Sequence, residues 1–194
     1  MILYVCIVYL SWYQRGPVRR HFINHSSMNF KLILTCIVSI VIASSCTNTV
    51  RKDGTEEVIY SVGEDDAEMN EAIRKANATL NDFKKALIGG DTMLRLFSIK
   101  IKVDTDDGRV EHIWIGSIEM KGDTLSGRVN NIPQSISSLT ESQFVRINTS
   151  DISDWMYVRH DTLIGGYTIR VLRDRMSVEE RRRLDEEIGV TVQP

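Results

Sequence analysis

MNEAIRKANATLNDFKKALIGGDTMLRLFSIKIKV, residues 69–103, changes its hydrophobic period partway along. In the first part Met69, Ile73, Ala76, Leu80, Phe83 and Leu87 recur at spacings of 4, 3, 4, 3 and 4, which places them on one stripe of an α-helix. Asp65 or Asp66 stands where an N-cap belongs, with Glu68 in the first turn. Lys84 and Lys85 complement the dipole in the last turn, and Gly89-Gly90 ends the helix. In the second part Phe97, Ile99, Ile101 and Val103 alternate with Ser98, Lys100 and Lys102, the pattern of a strand with one face buried.

Downstream the chain continues as strands and tight turns. Asp106-Asp107-Gly108 turns into a strand over 110–120, in which Ile113, Trp114 and Ile115 make both faces apolar and Gly116 suggests a bulge. Lys121-Gly122-Asp123 turns again, toward Leu125, Gly127 and Val129 on one face of a third strand. Residues 131–142, with Pro133, read as a loop. Residues 144–147 and 155–159 read as two more strands, and Leu163-Ile164 as a short sixth. Ser177 with Glu180 is a capping box opening a helix over 181–188. Helix first and consecutive hairpins after it predict an α+β domain. In it an N-terminal amphipathic helix packs on an antiparallel sheet of five or six strands, with short C-terminal helices.

Upstream the reading is different in kind. From Met28 the chain reads MNFKLILTCIVSIVIASSC, with Lys31 as a positive start, an apolar run over 32–42, and Ala43-Ser44-Ser45 directly before Cys46. These are the parts of a secretory signal, and the run is shorter than the ~20 apolar residues that span a bilayer. A cysteine after small residues resembles the bacterial lipobox, although Ala43 stands where that motif usually has Leu. The resemblance implies a diacylglyceryl group on the Cys46 thiol and cleavage before it. The rival is an uncleaved single-span anchor. Thr47 is not the Asp that retains enteric lipoproteins at the inner membrane, so the resemblance points to the outer membrane. The expected organisation is a misplaced upstream start over 1–27, a lipoprotein signal over 28–45, lipidated Cys46 with a polar tether to residue 64, and one domain over 65–194.

The first 46 residues hold Arg15, Arg19, Arg20 and Lys31 and no acidic residue. Removing those four from the chain's 24 basic residues leaves 20 against 26 acidic ones, a net charge of −6 beyond Cys46. That sign disfavours nucleic acid as a partner. Cys6, Cys36 and Cys46 are the chain's three cysteines, so the expected domain holds no disulfide and no thiolate metal cage. His112 and His160 are its two histidines, which excludes a His-rich metal site. No cofactor is implied.

Four stretches form an ordered set: Glu111-His112-Ile113-Trp114; Gly127 with Asn131 and Pro133; Asp151-Ile152-Ser153-Asp154-Trp155-Met156-Tyr157; and Gly165-Gly166-Tyr167-Thr168. The set resembles the YegJ-like family, domain of unknown function 2314, over about residues 64–175. The resemblance implies one compact domain and carries no activity.

Candidate chemistry is sparse. His112 and Trp114 share one strand face, and Trp155 and Tyr157 share another. Trp and Tyr are enriched at binding hot spots, so an exposed aromatic face suits a partner or ligand. In the alternative register Trp155 is core and Met156 faces outward. The reading adopted is a non-catalytic binding surface of Trp114, Trp155 and Tyr157, with His112 and Asp154 as polar anchors. One alternative is an envelope hydrolase using His112 with Asp151 or Asp154, which requires them within hydrogen-bond reach. A second alternative is an immunity-like inhibitory protein with a contiguous acidic surface. Asp151 to Asp154 also reads as a plain turn, and Gly165-Gly166 as backbone that needs unusual dihedrals.

Overall fold

The computed structural model of the chain describes residues 2–6, 47–52, 55–63 and 65–193. The signal stretch and Cys46 lie outside these residues. Among the described residues no helix is long and apolar enough to cross a membrane.

Three strands come first: β1 (Ile2–Cys6), β2 (Thr47–Lys52) and β3 (Thr55–Gly63). β2 and β3 pair as an antiparallel hairpin, so the segment read as a tether forms sheet instead. Its alternation of Val50, Val58 and Tyr60 with polar residues satisfies a strand as well as a linker. β1 lies antiparallel to β3 and parallel to the start of a later strand at Val110 to His112.

The amphipathic stripe then folds as two helices rather than one, α1 (Ala67–Ala78) and α2 (Leu80–Ile88). Asp66 caps α1 by accepting from the Met69 N–H at 3.0 Å. The break falls at Thr79, whose hydroxyl donates back to the Lys75 carbonyl at 2.8 Å and lies 3.0 Å from the Tyr167 hydroxyl. A threonine that bonds the preceding turn bends a helix, and the tertiary tie to Tyr167 fixes the bend.

Six strands form the antiparallel sheet of this α+β fold. They are β4 (Leu94–Asp104), β5 (Val110–Lys121), β6 (Thr124–Val129), β7 (Phe144–Ile147), β8 (Ile152–Arg159) and β9 (Thr162–Gly165). Their order across the sheet is β7-β6-β5-β4-β8-β9. Two helices close the chain. They are the expected short C-terminal helices: α3 (Tyr167–Arg175), for which the sequence pattern set no bounds, and α4 (Val178–Ile188), which carries the expected Ser177–Glu180 capping box.

Helices cover both sheet faces, which sets two apolar clusters. On one face Phe83 and Ala76 meet Ile99, Ile101, Ile113, Ile115, Trp155 and Tyr157. On the other, Trp114, Met156 and Val158 pack under Ile169, Leu172, Leu184 and Ile188. α1 bridges the two, giving Met69 to the second cluster and Ala76 to the first. It also ties to β8, where the Asn77 amide donates to the Ile152 carbonyl at 3.1 Å and the Trp155 indole donates to the Ala76 carbonyl at 2.8 Å. The centre of β4 is therefore buried on both sides. Ser98 and Lys100, expected to face water, are 3% and 1% exposed.

Candidate functional site

Strand register assembles a polar row inside the face covered by α3. Lys100 on β4 stands opposite Trp114 on β5 and opposite Asp154 on β8, and Lys102 stands opposite His112. Directly opposed residues share a face. The Lys100 ammonium lies 4.8 Å from the Trp114 ring centroid, within cation–π range. It also donates to the Thr168 hydroxyl at 2.8 Å, and that hydroxyl donates onward to Asp154 Oδ2 at 2.6 Å. Lysine, threonine and aspartate thus form a buried chain that runs from an ammonium to a carboxyl group.

Asp154 does more than balance Lys100. α3 begins at Gly166, which has no side chain to cap it and sits in the left-handed region at φ +63°. The carboxylate of Asp154 supplies the cap from the sheet, accepting from the Tyr167 and Thr168 N–H groups at 3.1 and 2.8 Å. It accepts from its neighbour's Trp155 N–H at 2.8 Å as well. Gly165, at φ +75°, is needed for a different reason: a Cβ there would lie 2.2 Å from the Trp155 carbonyl oxygen. The two motif stretches, residues 151–157 and 165–168, are therefore the two halves of one joint. Burial pushes the Asp154 carboxyl above the usual range, against the opposing pull of Lys100 and the Thr168 hydrogen bonds.

Two further buried groups are engaged in the same way. Glu111, 0% exposed, accepts from the Gln134 N–H at 2.9 Å and the Ser135 N–H at 3.1 Å and so fixes the loop after β6. His112 Nδ1 lies 2.7 Å from Ser153 Oγ, which in turn lies 3.3 Å from the Lys100 carbonyl. A β-bulge between Lys100 and Ile101 brings Ser153 to that position. Burial, with Lys100 and Lys102 nearby, pulls the His112 pKa down to about 3, so the ring is neutral at ordinary pH.

Against this geometry the expected binding surface is corrected. His112, Trp114, Asp154, Trp155 and Tyr157 are all buried, with Tyr157 the most open at 8%. Trp155 and Tyr157 do share a face, but α2 covers it. Phe83 lies tilted 5.6 Å from Trp155, and Phe97 stacks 5.1 Å from Tyr157. The hydrolase pairing is corrected too. Among the described residues the partner of His112 is Ser153, Asp154 is held by α3, and Asp151 accepts from Ser150 at 2.9 Å. The acids on the helices alternate with arginines rather than forming one patch: Glu71 pairs with Arg74, Asp66 and Glu68 with Arg175, and Glu179 and Glu186 with Arg182. Among the described residues no three His, Cys, Asp or Glu side chains gather as a metal site requires.

Two open concavities lie elsewhere, and of their lining only Tyr167 belongs to a motif stretch. One, of about 330 Å³, runs between α1 and α3 and is lined by Glu71, Ala72, Lys75, Tyr167, Arg170 and Asp174. The other, of about 660 Å³, lies against α4 beside Arg173, Arg181, Asp185 and Val190. The first gathers residues from α1 and α3, far apart in the chain, so only the fold reveals it.

A six-stranded antiparallel sheet with a sheet-borne helix cap and a sealed polar row defines an α+β domain. The chain belongs to the family described as uncharacterized protein conserved in bacteria (DUF2314), whose model matches residues 66–192. It is 31% identical over 128 residues to the uncharacterized protein YegJ of Escherichia coli strain K12, covering 66% of this chain and 82% of that one. It is also 32% identical over 142 residues to the putative ankyrin repeat protein NMB1133/NMB1171 of Neisseria meningitidis serogroup B. That match covers 70% of this chain but only 56% of the Neisseria protein, so the chain spans little more than half of that relative. No solved structure matches the chain.

Proposed function

We propose that this is a lipid-anchored cell-envelope protein, held in the outer membrane through Cys46, whose domain binds a protein or small-molecule partner without catalysis. The observation that carries the non-catalytic reading is that each buried Lys, Asp, Glu and His among the described residues has a structural duty. Lys100 and Asp154 join α3 to the sheet, Glu111 holds a loop, and His112 is bonded to Ser153. An acid–base catalyst needs a group in reach of substrate, and these are sealed beneath helices and loops. The anchor rests on the apolar run over 32–42, the small residues 43–45 and the cysteine that follows. Two or more acyl chains give stable attachment.

With the aromatic residues inside, the binding surface moves to the groove between α1 and α3. There Lys75 and Arg170 lie beside Glu71 and Asp174, a mixed lining that suits a polar partner. Two measurements test the proposal. Radiolabelled palmitate is incorporated by the native chain and lost in Cys46→Ala. A photocrosslinker at Lys75 captures a partner in intact envelopes, a crosslinker at exposed Lys121 does not, and Asp174→Arg abolishes the capture. Equal capture at both positions, with folded protein, refutes the groove. Undiminished labelling of Cys46→Ala refutes the anchor.

A further inference from the structure

β5 meets two different neighbours along one edge. From Ile115 to Lys121 it pairs with β6, and that pairing runs out where the Asn130 N–H donates to the Trp114 carbonyl at 2.8 Å. The Trp114 N–H points the same way, to Asn131 Oδ1 at 2.8 Å. Backbone groups alternate in direction along a strand, so the N–H and C=O groups of Val110 and His112 leave β5 on that same side. β6 does not reach them. What meets them is β1, which runs parallel, with Leu3 opposite Val110, Tyr4 opposite Glu111 and Val5 opposite His112. On its other edge β1 lies antiparallel to β3, from Ile2 opposite Gly63 to Cys6 opposite Ile59. β1 thus fills a slot one strand wide between β3 and β5.

Both walls of that slot are held by contacts that do not involve β1. β5 is fixed by its ladder to β4, from Asp104 opposite Val110 to Ile99 opposite Ile115. The end of β3 is fixed through Asp66, whose N–H donates to the Gly63 carbonyl at 3.2 Å. The Asp66 carboxylate caps α1 and accepts from Arg175 of α3 at 2.8 Å. Gly63 is therefore tied to the helical layer at two strand spacings from β5, ~10 Å. The upstream readings both take β1 away. A start at Met28 omits it and a cut before Cys46 releases it, whereas β2 begins at Thr47 and stays. An open edge with unpaired N–H and C=O groups recruits another strand. The slot also selects what enters. Residues opposite Glu111 and His112 stand beside buried groups, where an unpaired charge is costly. The stretch that fits, ILYVC over 2–6, is uncharged and rich in strand-forming residues.

We propose that the slot between β3 and β5 is a strand-insertion site, in which the mature domain takes up an extended, uncharged segment of a partner protein, parallel to β5. The inference rests on the removal of residues 1–45, and the slot is a surface separate from the groove between α1 and α3. Main-chain hydrogen bonds to both walls supply the affinity, as in other cases of strand addition to a sheet edge.

The chain is produced in a bacterial envelope from Met28, so that β1 is absent whether or not the cut before Cys46 is made, and is purified in detergent. The probe is a fluorescent peptide of residues 2–6 with Cys6→Ser and a C-terminal lysine tail. Its anisotropy should rise to saturation. Tyr4→Pro, which removes the central N–H of the peptide, and reversal of the residue order should each weaken binding about tenfold. The chain from Met1 with Cys46→Ala keeps β1 in the slot and should exclude the peptide. In the Met28 chain the His112 amide should exchange with solvent about tenfold more slowly once the peptide is bound. Absence of saturable binding overturns the proposal, and so does equal affinity for the native, proline and reversed peptides, which would be apolar adhesion only. A His112 amide protected equally with and without peptide overturns it as well, because β3 has then closed onto β5. Intact mass reports the cut independently: a chain that retains residues 28–45 refutes the anchor and leaves the peptide result standing.

Discussion

Asp154→Asn is the substitution that tests the joint between sheet and helix most directly. The side chain keeps its size and one carbonyl oxygen, but its amide replaces an oxygen that now accepts from the Thr168 N–H and hydroxyl or from the Tyr167 and Trp155 N–H groups. Whichever way the amide turns, it faces donors. Lys100, 1% exposed, then stands opposite a neutral residue. Removing one partner of a buried ion pair costs about 3–5 kcal/mol, and leaving a buried donor without its acceptor costs about 1–3 kcal/mol. These are not additive, so the expected loss is about 4 kcal/mol, within the ~5–15 kcal/mol of a whole domain. Urea denaturation followed by far-UV circular dichroism reads it as a lower midpoint. Adding Lys100→Met removes the orphaned charge and should recover about half of the loss, as replacement of a buried pair by apolar side chains often does. A cost below about 1 kcal/mol for Asp154→Asn, or strict additivity with Lys100→Met, would refute the account of Asp154 as charge partner and cap.

Three other outcomes follow from the same structure. Gly165→Ala drives a methyl group to 2.2 Å from the Trp155 carbonyl at φ +75°, so it should cost about 3 kcal/mol and lower the thermal midpoint by roughly 10 °C in a melting curve. The Arg175 guanidinium holds Asp66 at about 2 instead of 3.8. A lowered carboxylate stabilises the fold above its unfolded value, and the gain disappears as pH falls from 3.8 through 2. With Arg175 partly exposed, screening limits that gain to about 1 kcal/mol. Asp66→Asn, which keeps a good N-cap, should therefore lose about 1 kcal/mol at pH 6 and only a small fraction of that at pH 2 in matched urea titrations. His112, held down to about 3 from 6.5, is neutral in the fold and protonated in the unfolded chain between those values, so stability decreases as pH is lowered through that window. The ceiling is roughly 5 kcal/mol, and His112→Gln should flatten the pH dependence between 6.5 and 3.

The architecture was legible where periodicity is local. The stripe from Met69 to Leu87 and the alternation from Phe97 to Val103 gave the helix-then-sheet order, and Ser177 with Glu180 announced α4. What escaped depended on residues distant in sequence. Lys100 looked like a solvent-facing residue because its neutralising partner stands 54 positions later. That same disguise made β4 read as half-buried and left room for an exposed aromatic face, so Trp155 and Tyr157 seemed available when α2 covers them. Thr79 breaks the long helix partly through Tyr167, 88 residues on. The expectation of short C-terminal helices covered α3 but could not place its start, because a glycine pair gives no local cap. Of the candidate site residues, the sequence singled out those that matter to the fold, but it could not separate a ligand surface from an interior.

The cap that Asp154 lends to α3 also bears on how the domain opens. A helix that nucleates on its own N-cap can form and fray by itself. α3 lacks that option, since the acceptor for its first amides is delivered only when β8 is in the sheet beside β4. Helix and strand then belong to one cooperative unit, and the Thr168 amide should exchange its hydrogen with solvent at the pace of global unfolding, not at that of a loosely held surface helix.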